Sequence, residues 1–180
     1  MGRESRIESL YIYPLNLQNL LQREVKQAVP TVYDVPSDLL IQRLGDYLLT
    51  EVPKVTPPKW VSFAKTSAHV EGPPMQRNWW HTRCASLLRK TYIQGPVGIA
   101  RLKKAYGGRK SKGSVGKHSR PGGGAIVRHA LQQLEEAGLV RTVEGEGRVL
   151  TRQGKSLLDR LAVEVKKTLE KDVPGLAKYG

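Results

Sequence analysis

AIVRHALQQLEEAGLVRTVEGEGRVL, residues 125–150, is the stretch on which the fold turns. Its first half places Ile126, Ala130, Leu131 and Leu134 at helical spacing, which predicts a helix over 125–137. Gly138 stands where such a helix needs a residue that accepts positive φ. Leu139-Val-Arg-Thr-Val143 then reads as a strand, Glu144-Gly-Glu-Gly147 as a turn and Arg148-Val-Leu150 as the return strand. A helix that runs straight into a short hairpin is the closing half of a winged unit.

The flanks supply the rest. Asn78 is a suitable N-cap for a helix over 78–94, with Trp80, Cys84, Leu87, Leu88 and Thr91 on one side. Gly95-Pro96 breaks the chain, and a shorter helix is expected over 97–106. Downstream, Thr151 caps a last helix to about residue 170 along Leu157, Leu158, Leu161, Val165 and Leu169. Upstream, Pro36-Ser37-Asp38 starts a helix lined by Leu40, Leu44, Tyr47 and Leu48. Pro53, Pro57 and Pro58 end it, and a short turn around Trp60, Phe63 and Ala64 follows. The expected class is mainly α: a winged helix-turn-helix over residues 31–172, with the hairpin 139–150 as wing and extra flanking helices. Residues 1–30 read as an N-terminal extension, either disordered or a short helix along Leu17, Leu20, Leu21, Val25 and Ala28. Residues 173–180 read as a tail.

Helix order alone does not name a partner. The third helix of such a unit can enter a nucleic-acid groove, and here it carries Arg128 and His129 near its N-terminal end. Winged units also dock proteins, so both readings stand at this point. Charge separates them. The chain carries +14 with a pI near 10.1. From Gly72 to Leu134 there are 13 Lys and Arg and no Asp or Glu. Such segregation makes a cationic surface for a polyanion, with nucleic acid the first candidate and an anionic membrane the second. No run of about 18 apolar residues exists to span a membrane.

Gly107–Gly124, GGRKSKGSVGKHSRPGGG, is the densest part of that segment. A reader of B-DNA uses a turn of about three or four residues between its second and third helices. Here a long basic segment intervenes, read as a flexible loop whose glycines admit phosphates. Its cations are Arg109, Lys110, Lys112, Lys117 and Arg120. The bland alternative is a solvated charge run. His118 either donates to phosphate, stacks on a base, or is simply exposed.

Other chemistry finds little support. The Lys-Ser after Gly107-Gly108 lacks the spacing of a phosphate-binding loop and follows no apolar strand. His69, His81, His118 and His129 have no acid in the basic segment to orient them, so no catalytic residue is assigned. One cysteine, Cys84, excludes an internal disulfide and a Cys-rich metal site, and it reads as a small core residue. Trp80 belongs in the core by phase. Trp79 lies on a different face and is expected against the Trp60 turn or RNA.

Several stretches resemble the archaeal and eukaryotic small-subunit ribosomal protein family numbered nineteen. They are Thr31-Val-Tyr-Asp-Val-Pro36, Pro58-Lys-Trp-Val61, NWWHTRCAS (78–86), IARLKKAYGGR (99–109), Leu131–Leu134 with Gly138-Leu-Val140, and GRVLTRQG (147–154). The resemblance covers about residues 31–170. It implies a non-enzymatic constituent in the head of the small subunit, without cofactor or metal, bound to the 3′ part of the rRNA and to neighbouring small-subunit proteins. It also implies a role in subunit maturation and a cytoplasmic, ribosome-bound location, nucleolar during assembly in a eukaryote. The rRNA contacts it implies are Lys59, Trp60, Arg83, Lys103, Lys104, Arg109 and Arg128. Lys110, Lys112, Lys117, His118 and Arg120 join them by position. Residues 1–30 precede the usual family start, as a lineage-specific extension or an upstream start codon. The competing classes are a winged-helix DNA-binding regulator and an RNA-acting enzyme; the missing carboxylate or metal cluster speaks against the enzyme.

Overall fold

The computed structural model describes residues 30–173, so the helix expected along Leu17–Ala28 lies outside the described residues. Within them the chain is mainly helical, with two separate two-stranded antiparallel hairpins. The order is α1 (Ser37–Glu51), a 3-10 turn (Lys59–Phe63), α2 (Trp79–Gln94), α3 (Ile99–Ala105), β1 (Gly108–Lys112), β2 (Val115–Arg120), α4 (Gly124–Glu136), β3 (Val140–Val143), β4 (Gly147–Leu150) and α5 (Arg152–Asp172).

The apolar stripes become one core. Leu40, Leu44 and Leu48 of α1 meet Trp80, Cys84, Leu87 and Leu88 of α2, all fully buried. Leu131 and Leu134 of α4 and Leu158 and Leu161 of α5 complete it. Trp80 is the pivot. Its indole N–H donates to Gln133 Oε1 at 2.9 Å, and Gln133 Nε2 donates to the Thr56 carbonyl at 2.7 Å, so the buried donor is satisfied. Trp79 is also in the core, edge-on to Trp80 at 5.7 Å. It is Trp80, not Trp79, that receives the Trp60 ring, at 5.9 Å.

Helix ends follow their residues with two exceptions. Gly138, at φ +76°, closes α4: its N–H donates to Glu135 O, and Leu139 N–H donates to Leu134 O. Thr151 Oγ1 accepts from Gly154 N–H at 3.1 Å and caps α5. Asn78 makes no side-chain cap; only its carbonyl is engaged, by the backbone N–H and hydroxyl of Thr82. Helix α3 begins at Ile99 rather than Val97, because Val97 is drawn into a bridge with Arg148 of β4 by two 3.0 Å backbone bonds. That bridge ties the second hairpin to the α2–α3 connection. Its strands pair Val140↔Leu150 through Val143↔Gly147, and β3 packs on α4 while β4 packs on α2 and α5.

Candidate nucleic-acid interface

The basic segment between α3 and α4 is not a loop. It forms the β1–β2 ribbon, paired Gly108↔Arg120, Arg109↔Ser119, Lys110↔His118 and Lys112↔Val115, with an irregularity between Lys110 and Lys112. A two-residue turn, Gly113-Ser114, reverses it. Gly113 takes φ +73° and Ser114 has no positive φ, the pattern of a II′ hairpin turn. Directly opposed residues share a face, so Lys110, His118 and Arg120 line one side of the ribbon and Arg109 and Lys117 the other. All of these side chains are exposed. Neither face carries a carboxylate.

A ribbon with no buried face is marginal by itself in water. Its base supplies what its body lacks. Gly107 N–H donates to Lys104 O at 3.1 Å and Gly122 N–H to Lys103 O at 2.8 Å. The buried Ser67 hydroxyl donates to Tyr106 O at 2.7 Å. Two of the glycines serve this closure: a Cβ on Gly107 would lie 2.5 Å from the Arg120 carbonyl oxygen, and one on Gly108 would lie 2.6 Å from the His69 ring, whereas Gly116 meets nothing within 4 Å. His69 is therefore a buttress of the ribbon, a role that no local sequence signal announces.

The remaining expected contacts sit on the elements around this base. Arg83 lies half-buried on α2 with its guanidinium 4.0 Å from the Tyr106 ring centre, and Lys90, two turns on, approaches the same ring at 5.2 Å. Burial lowers the Arg83 pKa and the nearby Tyr106 acts against that; burial likewise raises the pKa of Tyr106, whose hydroxyl pairs with Ser86 at 2.8 Å. Tyr106 is thus a platform that orients two cations immediately before β1, a role missed at the level of sequence. Lys104 is exposed at the end of α3, while Lys103 is half-buried with its aliphatic stem along Gly124. Arg128 is exposed on α4. Its neighbour His129 packs on Trp60 at 5.6 Å, so the 3-10 turn that carries exposed Lys59 is docked beside the middle of α4.

Not every cation of the acid-free segment is offered to solvent. Arg89 is half-buried, and its Nε is sealed from water without a partner. Among the described residues, however, none of the segment's cations is paired with an acid. Among the described residues the ion pairs are Arg43–Glu164 and Lys166–Glu170, both outside it. No cluster of three or more metal-ligating side chains occurs among the described residues, and no helix there is long and apolar enough to cross a membrane. Burial pushes the Cys84 thiol up to about 12, consistent with an inert core residue.

Comparison with known proteins agrees with this arrangement of motifs. The chain is 48% identical over 147 residues to the small ribosomal subunit protein eS19 of Aeropyrum pernix, covering 81% of this chain and 96% of that protein. It is 44% identical over 154 residues to eS19 of Haloarcula marismortui, covering 83% and 98%. It is 35% identical over 137 residues to eS19G of Ascaris suum, covering 76% and 92%. Residues 31–168 match the family described as Ribosomal protein S19e, and with relatives of this identity and coverage the chain belongs to that family.

Proposed function

We propose that the chain is a structural, non-enzymatic constituent of the small ribosomal subunit that holds rRNA through the β1–β2 ribbon and the residues around its base. One observation carries this reading: an exposed two-stranded ribbon with five Lys/Arg and one His on its strands, and among the described residues no carboxylate paired to any of them. Such a ribbon gains little by folding alone and much by seating on phosphates, where each neutralised charge releases a counterion. Lys59, Trp60, Arg83, Lys103, Lys104 and Arg128 extend the contact around its root. We read the succession α2, α3, α4, β3, β4 as a winged helix-turn-helix in which the ribbon replaces the tight turn of DNA readers; that replacement argues against a DNA regulator. The family supports a site in the head, on the 3′ part of the rRNA beside other small-subunit proteins, with a part in subunit maturation and a cytoplasmic, ribosome-bound location.

In lysate at low salt the protein is expected to sediment with the small subunit; recovery free of ribosomes on defined DNA sites would reject the reading. Replacing Arg109, Lys110 and Lys112 together by Ala should weaken rRNA binding. It should also flatten the slope of log K against log salt by about 2–3, one phosphate per cation. An unchanged slope would reduce the ribbon to solvated charge.

A further inference from the structure

The strongest feature left unused by this reading is on α5. Arg152, Ser156 and Arg160 recur every four residues along one line of the helix, all exposed, and together they line two adjoining concavities of about 420 and 430 Å³. Two of the groove's cations, Arg160 and Lys155, are held rather than loose. The Arg160 guanidinium lies 5.6 Å from the Tyr47 ring centre, and its Nη2 donates to the Tyr47 hydroxyl at 3.3 Å. Lys155 Nζ lies 5.8 Å from the Tyr92 ring centre. One acid is present, Asp159, and it is engaged by the Tyr92 hydroxyl at 2.7 Å, which leaves the groove net positive.

This groove is separate from the first surface. Arg83 and Tyr92 are nine residues apart on α2, which at 3.6 residues per turn places them on opposite flanks of that helix. Tyr106 and the ribbon root lie against the Arg83 flank, and α5 lies against the Tyr92 flank. The chain therefore offers oriented cations on two opposed sides.

We propose that the Arg152–Ser156–Arg160 groove is a second phosphodiester-binding surface, so that the protein bridges two RNA segments instead of capping one. This rests on the reading that the chain binds rRNA. The donor set favours RNA over an acidic peptide. It holds guanidinium forks and a hydroxyl at one-turn intervals of about 6 Å, a spacing comparable to successive phosphates of a strand. The aliphatic lining is a poor anchor, because Leu139 and Leu157 are only 8% and 7% exposed and Val163 is half-buried, whereas a peptide needs an open apolar pocket to bind well.

The test uses the full chain. Arg152→Gln/Lys155→Gln/Arg160→Gln should bind small-subunit rRNA about tenfold or more weakly at low salt, with a slope reduced by about 2–3. Its Cys84 should stay as inert to thiol reagent as in the parent. A photo-crosslinker in place of Ser156, in reconstituted small subunits, should attach to rRNA. An unchanged slope, or crosslinks to a protein or to nothing, overturns the proposal. The ribbon triple variant separates the two readings. If it is silent while the α5 variant weakens binding, the ribbon fails and the groove stands; the reverse outcome removes the groove alone.

Discussion

The two hairpins have the same covalent plan and opposite physics. Strands β3 and β4 bury Val140 to 2% exposure, bridge to Val97 and end in the cap of α5. Strands β1 and β2 leave Val115 62% exposed, keep a cation on almost every second residue and, among the described residues, are tied to the body by hydrogen bonds at their base. Apolar burial holds the first in place at roughly 25 cal/mol per Å². Nothing comparable holds the second among the described residues; in the proposed reading its free energy is completed by rRNA. The contrast separates the hairpin that shapes this domain from the hairpin that serves it.

The strongest way to break that contrast is to make one substitution twice. Val140→Asp puts an unpaired carboxylate in the core and should cost about 3–5 kcal/mol, visible as a collapse of the urea midpoint and release of the Cys84 thiol. Val115→Asp should change global stability by less than about 0.5 kcal/mol. It also sets an acid among the ribbon cations, so rRNA affinity should fall although the fold survives. Equal midpoints for the two variants would mean that the ribbon is as integral to the core as β3–β4.

Next in size is the root of the ribbon. Gly107→Val drives a side chain into the Arg120 carbonyl and also crowds Pro121 and Lys104. Local overpacking of this kind costs about 1–3 kcal/mol, and here it should be spent on detaching the ribbon. Amide exchange across 108–120 should rise to the level of free peptide, while amides of α2 and α4 keep their protection. Exchange that rises across the whole domain would show the two parts to be one cooperative unit.

The sequence was a better guide to β3–β4 than to β1–β2, for the same physical reason. Apolar residues in period announce elements that face a core, so α1, α2, α4, α5 and the second hairpin were legible to within a residue or two. Val97 was assigned to a helix because its bridge to Arg148 is a tertiary event. The ribbon has no apolar face, so its alternation was invisible; the only signal was Gly113-Ser114 between Lys112 and Val115, a two-residue turn of hairpin type. The candidate cations were easier to find than their supports. An acid-free run can be counted along a chain, whereas the Tyr106 platform, the His69 buttress and the α5 groove depend on residues brought together from distant positions.

The smallest expected effect is also the sharpest comparison, because the two turn glycines match. Gly113 and Gly145 have φ of +73° and +77°, and neither has an atom within 4 Å of where a Cβ would stand. Alanine at either site therefore meets backbone strain alone, about 1–2 kcal/mol. What differs is where that strain appears. At Gly145 the hairpin is welded to α2, α4 and α5, so strain in its turn must be relieved by unfolding, and Gly145→Ala should lower global stability by nearly the full amount. At Gly113 the ribbon can open without disturbing the core, so Gly113→Ala should leave the urea midpoint in place and raise exchange only within 108–120. With rRNA bound, the ribbon must close again, and the same strain should return as a loss of affinity of about fivefold to thirtyfold. A midpoint that falls equally for both alanines would refute the division of the two hairpins into scaffold and ligand-completed ribbon.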